Sequence, residues 1–257
     1  MRQFKRTFFG KGLFFQSSLF LLVLFSGGVN ASYMNIDVAD NNMSGFIFES
    51  EGSNDPYSQF TKGVNAYQAA DYTLAARIFS ELAKTGHVSA QFYLGVMLDA
   101  GSGVEQDHVQ SAMWYFKAAN KGHVEAQYNL GIAYATGDGV NKNIKKAIYW
   151  MKKAALNGSI NSQYNLGLMY ILGEGVKVNL EEGILWWKLA AKNGDSIAQY
   201  NLGMIYMEGR GVESDICEAS RWWQISADNG YQQSRLALEH LQVTMQQNSC
   251  VGMVSTR

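Results

Sequence analysis

Residues able to do proton, nucleophile or metal chemistry are sparse in this chain. Its four histidines stand at 87, 108, 123 and 240, and its two cysteines at 217 and 250. His87 and His123 occupy equivalent places, each just past a glycine, where a polar turn residue is expected. No histidines or cysteines fall at the short spacings that build a zinc site, and no Gly-x-Ser-x-Gly or phosphate-cradling loop occurs. Gly-x-Gly-Val segments are present, but they lie between helical stretches and not after a strand, which excludes a dinucleotide site. Glycoside hydrolysis would need two carboxylates converging on a cleft. Asp99, Glu125 and Glu208 are the candidates, yet they sit at different phases of the pattern described below, without pairing. The expectation is a protein that is not an enzyme and uses no cofactor and no metal; a cell-wall or carbohydrate-directed protein is the alternative.

The cysteines leave two readings open. In an oxidising compartment Cys217 and Cys250 can form a disulfide; otherwise Cys217 is a packed apolar residue and Cys250 a thiol in the tail. The first residues bear on the compartment. Arg2, Lys5, Arg6 and Lys11 precede an apolar run, Leu13–Phe25, interrupted only by Gln16, Ser17 and Ser18. Val29-Asn30-Ala31 then supplies small residues at a cleavage point, the pattern of a signal peptide over 1–31. The apolar run is shorter than the roughly 20 residues a membrane span needs. A periplasmic or secreted protein is therefore expected, not inserted in the membrane after cleavage. Removing 1–31 leaves seventeen Lys and Arg against twenty-two Asp and Glu, a net charge of −5. That balance, with no basic run, excludes the electrostatic footprint of a nucleic-acid binder.

The elements that must position any site are repetitive. Glycines fall at 86, 122, 158, 194 and 230, and AQYNLGIAYATGDGV at 126–140 returns as SQYNLGLMYILGEGV and AQYNLGMIYMEGRGV. A fixed period of this length signals a solenoid of stacked supersecondary units. With one proline in 257 residues, those units are helical. In each, Ala126, Leu130, Ala133 and Tyr134 or their equivalents mark a first helix at i, i+4, i+7, i+8 spacing. Gly-x-Gly-Val ends it, and Asp107, Asn143, Asn179 or Asp215 caps a second. Small residues (Ser111, Ala147, Gly183, Ala219) and tryptophans (Trp114, Trp150, Trp186, Trp222) form columns on the second helices. The indoles are read as core, against a carbohydrate platform, because burying one stabilises by a few kcal/mol at ~25 cal/mol per Å². The predicted units are 87–122, 123–158, 159–194 and 195–230. They are preceded by a variant pair over 56–86, whose start is marked by Asp55-Pro56, and followed by a capping helix over 231–246 and a tail, 247–257. Residues 32–55 read as a flexible acidic leader, with Phe46-Ile47-Phe48 its one apolar spot.

The columns Ala-Gln-Tyr-Asn-Leu-Gly-x-x-Tyr, Gly-x-Gly-Val, Asp/Asn, Ala-x-x-Trp and Ala-Ala together resemble the Sel-1-like repeat, a relative of the tetratricopeptide repeat. The resemblance covers 87–230 strongly and the flanking helices in part. It implies an all-α, right-handed α-solenoid of antiparallel helix pairs whose first helices line a concave face. It also implies an adaptor that binds a protein or peptide partner, in envelope processes or host contact. A branch of the family stapled by a cysteine pair in every repeat matches poorly, since this chain has two cysteines in all.

If that face forms as in tetratricopeptide relatives, its lining is Tyr128, Asn129, Ile132 and Ala135, then Tyr164, Asn165, Leu168 and Ile171, then Tyr200, Asn201, Met204 and Met207. Phe92, Tyr93, Val96 and Asp99 are the equivalents in the first full unit. The row of asparagines can either hold the backbone of an extended peptide or satisfy polar groups of the neighbouring unit. Both readings stand at this point.

Overall fold

The computed structural model of the protein describes residues 55–244, with side chains through Gln242. The predicted signal peptide 1–31, nearly all of the predicted leader, the tail and Cys250 lie outside the described residues. The chain divides into two compact units, 1–59 and 60–257. Of the first, only Asp55–Gln59 is described. There the Tyr57 and Ser58 amides donate to Asp55 Oδ1 at 2.9 and 3.0 Å, so Asp55 caps the helix that Pro56 begins.

Eleven helices and no strand occur among the described residues. They are α1 Pro56–Gln68, α2 Tyr72–Thr85, α3 Val88–Ala100, α4 His108–Asn120, α5 Val124–Thr136, α6 Ile144–Leu156, α7 Ile160–Leu172, α8 Leu180–Lys192, α9 Ser196–Glu208, α10 Ile216–Asp228 and α11 Gln232–Thr244. Within the second unit each helix packs on its neighbours in sequence, so α3/α4, α5/α6, α7/α8 and α9/α10 are four stacked hairpins. None is long and apolar enough to cross a membrane.

Local chemistry sets the helix starts. Asp71, Asp107, Asn143, Asn179 and Asp215 each accept from the amide three residues on, as expected for cap residues. First helices are capped as well, by His87, His123, Ser159 and Asp195. His87 and His123 do this through Nδ1, which accepts from Ala90 and Ala126 at 3.3 Å. They are therefore specific caps and not merely polar turn residues. The Gly-x-Gly turn serves two ends. Gly137 and Gly139 have φ of 90° and 66°, which glycine alone adopts without strain. A Cβ on Gly139 would also collide with the His108 carbonyl, so this turn lies directly on the preceding hairpin.

Inside each hairpin a helical glycine receives a large side chain from the second helix. A Cβ on Gly95 or Gly131 would come within 2.8 Å of Tyr115 or Met151. On Gly167 and Gly203 it would overlap the indoles of Trp187 and Trp223. Those indoles donate to Tyr164 O and Tyr200 O at 3.1 Å. This corrects the tryptophan column. Trp114 and Trp150 are buried, but Trp186 and Trp222 are only half-buried. Adjacent helical positions differ by about 100°, so when both carry Trp only one can face the paired glycine. Trp223, 1% exposed, is the better-buried member; by area such a ring contributes at most about 4–6 kcal/mol.

Between hairpins a polar ladder runs through the core. Gln91, Gln127, Gln163 and Gln199 donate from Nε2 to Ala83, Ala119, Ala155 and Ala191 carbonyls at 3.1, 3.1, 3.0 and 2.9 Å. Each thereby holds the C-terminal turn of the preceding second helix. Asn157, Asn193 and Asn229 complete it by donating to Oε1 of Gln127, Gln163 and Gln199 at 3.1, 2.9 and 2.9 Å. Lys121 stands where the next partner belongs, and its Nζ reaches Gly86 O instead, at 2.7 Å. Gln91 Oε1 is consequently buried without a partner. The capping helix α11 docks in the same way, with Arg235 reaching Ala227 O and Ser234 donating to Ser226 Oγ at 2.7 Å.

Candidate functional site

The structure divides the predicted lining into a seam and an open face. Leu168 and Ile171, each 4% exposed, and Ala135 are core residues. Val96 is buried too, while Ile132 is half-buried. Met204 and Met207 are half-buried against the cluster of Trp223, Ala237 and Leu241, two of which belong to α11. The expectation that Leu168 and Ile171 face a groove is thus corrected. Ile171 packs instead within its own hairpin, on Gly183 of α8, where a Cβ would come within 2.5 Å of its side chain.

The asparagine row also belongs to the seam. Asn165, 6% exposed, donates to Tyr128 Oη at 3.5 Å. Asn201, half-buried, stands beside the Tyr164 hydroxyl in the next joint. Burial pushes the Tyr164 phenol up to about 12, with Asn201 pulling the other way. Asn129 has Phe92 as its predecessor, which offers no hydroxyl; it approaches Tyr115 instead. Of the two readings left open by the sequence, these contacts favour the structural one.

What remains open on the first helices is a column of exposed residues, Glu125, Asn161 and Ile197, flanking the half-buried tyrosines Tyr128, Tyr164 and Tyr200 one turn on. The flanking column escaped the sequence reading because its residue types share nothing; only its place just before the Gln-Tyr-Asn triplet marks it. The three side chains present a carboxylate, an amide and an apolar group to solvent, so successive repeats offer different chemistry on one scaffold.

The candidate carboxylates fare unequally. Glu125 lies 3.2 Å from His123 Nδ1. Burial raises the pKa of Glu208, opposed by Arg210. Asp99 does acquire partners, contrary to the sequence expectation: its Oδ1 is 2.9 Å from His108 Nδ1, and Asp138 Oδ1 is 3.6 Å from the same nitrogen. Asp138 arrives on the glycine turn of the next hairpin, so no spacing along the chain announces the trio. Of the proposed disulfide, Cys217 lies in the first turn of α10 and is not a free thiol; Cys250 lies outside the described residues.

Comparison with known proteins accords with this architecture. The Sel1 repeat matches residues 88–123, 124–159, 160–195 and 196–231. A solved structure described as a protective antigen present in uropathogenic Escherichia coli strains, displaying an SLR fold, is 32% identical with a TM-score of 0.69. The match covers 72% of this chain and 40% of that one, so this chain spans well under half of that antigen's length. A Sel1 repeat protein from Oxalobacter formigenes is 32% identical with a TM-score of 0.66, over 70% of this chain and 73% of that one. No curated protein matches at significance. With four matched repeats, each folded into one of the stacked hairpins, this chain belongs to the Sel1 repeat family.

Proposed function

We propose that the chain is an exported, non-enzymatic scaffold that binds a polypeptide partner across its first-helix face, in the bacterial envelope or in contact with a host. The observation that carries this reading is the exposed column of Glu125, Asn161 and Ile197 beside the half-buried tyrosines. Tyr128, Tyr164 and Tyr200 recur once per repeat, beside the dissimilar exposed side chains of Glu125, Asn161 and Ile197. Tyrosines offer large amphipathic contact area at low entropic cost, and varied neighbours give register to an extended chain. The signal-peptide pattern and the acidic mature chain support export and argue against nucleic acid as the ligand. Fractionation with N-terminal sequencing tests the export half: the mature protein should begin at Ser32, and a cytoplasmic chain beginning at Met1 would contradict it. Affinity capture from envelope extracts tests the binding half. Asn161→Lys with Ile197→Glu should lose the captured polypeptide while Leu185→Glu, on the second-helix face, keeps it. Equal capture by both variants would remove the first-helix face from the account.

A further inference from the structure

The joint between the first two full repeats carries a polar cluster that the solenoid does not require. Asp99 ends α3, His108 begins α4, and Asp138 sits on the turn after α5. One ligand-capable atom from each lies within 4.8 Å of the other two. The repeat shows what the fold itself asks for at these places. One period on from His108 stand Ile144, Leu180 and Ile216, and from Asp99 stand Ala135, Ile171 and Met207. Both columns are apolar in every other repeat.

A second observation points the same way. Ser111 and Tyr115 follow His108 at i+3 and i+7, on the same face of α4. They are 1% and 3% exposed, and neither hydroxyl closes a hydrogen bond of good geometry, although Ser111 and Asn129 both stand near the Tyr115 hydroxyl. The other repeats have Ala147, Gly183 and Ala219, then Met151, Trp187 and Trp223, at these two places. Buried hydroxyls without partners are rare in native proteins and call for an explanation.

We propose that Asp99, His108 and Asp138 bind a divalent first-row transition cation of the Zn²⁺ class, clamping the first repeat to the second. One imidazole nitrogen and two carboxylate oxygens are a donor set zinc accepts, with the fourth position left to water. Ligands about 2.1 Å from a tetrahedral ion stand about 3.4 Å apart. The 2.9 and 3.6 Å separations from Nδ1 bracket that value. Ca²⁺ and Mg²⁺ prefer six or more oxygen donors, which the trio does not offer.

Chelator-treated, full mature protein titrated with zinc chloride by calorimetry, and melted with and without it, tests this assignment. One equivalent should bind per chain and raise Tm, magnesium should do neither, and Co²⁺ should bring visible absorption bands. Asp138→Asn, which conserves volume on an exposed turn, should weaken zinc binding at least tenfold. His108→Ile installs the residue of the equivalent repeats; it should fold and bind no zinc at this joint. Wild-type protein that binds no zinc would reduce the trio to a histidine–carboxylate ion pair. Unaltered binding in both variants would place the ion elsewhere. Either result overturns the proposal.

Discussion

Truncating Gln163 to alanine is the sharpest perturbation of the polar ladder. Its side chain is 1% exposed and makes two hydrogen bonds, Nε2 to Ala155 O at 3.0 Å and Oε1 from Asn193 Nδ2 at 2.9 Å. Each contributes about 0.5–1.5 kcal/mol net, so the pair contributes about 1–3 kcal/mol. The void left beside the helix end adds to this, giving an expected loss of about 2–4 kcal/mol. Ala155 O keeps the Gly158 amide and Asn193 is exposed, so both abandoned partners find a substitute and the loss stays within that range. Asn193→Ala removes only the second bond and should cost about 0.5–1.5 kcal/mol. A double-mutant cycle read by urea denaturation should then show coupling of about 0.5–1.5 kcal/mol between the two sites. Gln91→Ala supplies a control, because Gln91 Oε1 has no partner to lose. A Gln163→Ala loss under about 0.5 kcal/mol, or strictly additive single variants, would refute the ladder as a source of stability.

Three further outcomes are expected. Gly203→Ala drives a methyl into the Trp223 indole and should cost about 2–4 kcal/mol in the same assay, through overpacking and loss of the bond to Tyr200 O; a neutral result would mean the ring has room to move. Lys121→Asn installs the residue type found at 157, 193 and 229 and gives Gln91 Oε1 a donor, so it should stabilise by about 0.5–1 kcal/mol even after losing the exposed Lys121–Gly86 contact. Burial lowers the pKa of His87 below 6.5, while its Nδ1 caps α3 and its ring stacks on Phe60 at 4.6 Å. Its contribution is therefore full above pH 6.5 and is lost as pH falls from there through the lowered folded value. His87→Asn, which caps without titrating, should flatten that part of the stability–pH profile, and an unchanged slope would count against the assignment.

How much was legible in the sequence follows from the range of the interactions. The caps at Asp107, Asn143, Asn179 and Asp215 bond an amide three residues away, so residue type and position in the repeat were enough to find them. Hairpin boundaries followed, since the glycines and caps punctuate every unit. Gln163 and Gly167 recur just as faithfully, yet their roles were hidden because Ala155, Asn193 and Trp187 sit outside α7. Trp186 and Trp187 illustrate a limit of phase: one residue decides which indole meets the glycine, and the pattern alone favoured the wrong neighbour. For Leu168 and Ile171, apolar character on a first helix was equally compatible with a groove and with the core. Only the packing of α7 against its neighbours separates the two. Asp99, His108 and Asp138 come from three different elements, and the turn geometry alone brings them together.

Site-specific photo-crosslinking in intact cells tests most directly the claim that the first-helix face receives a polypeptide. A photoreactive residue would replace Ile197, 41% exposed on α9, or Leu185, 62% exposed on the second-helix face, with adducts identified by mass spectrometry. The account predicts a discrete polypeptide adduct from position 197 and none from 185. Adducts from 185 alone, with a folded and silent 197 variant, would contradict it.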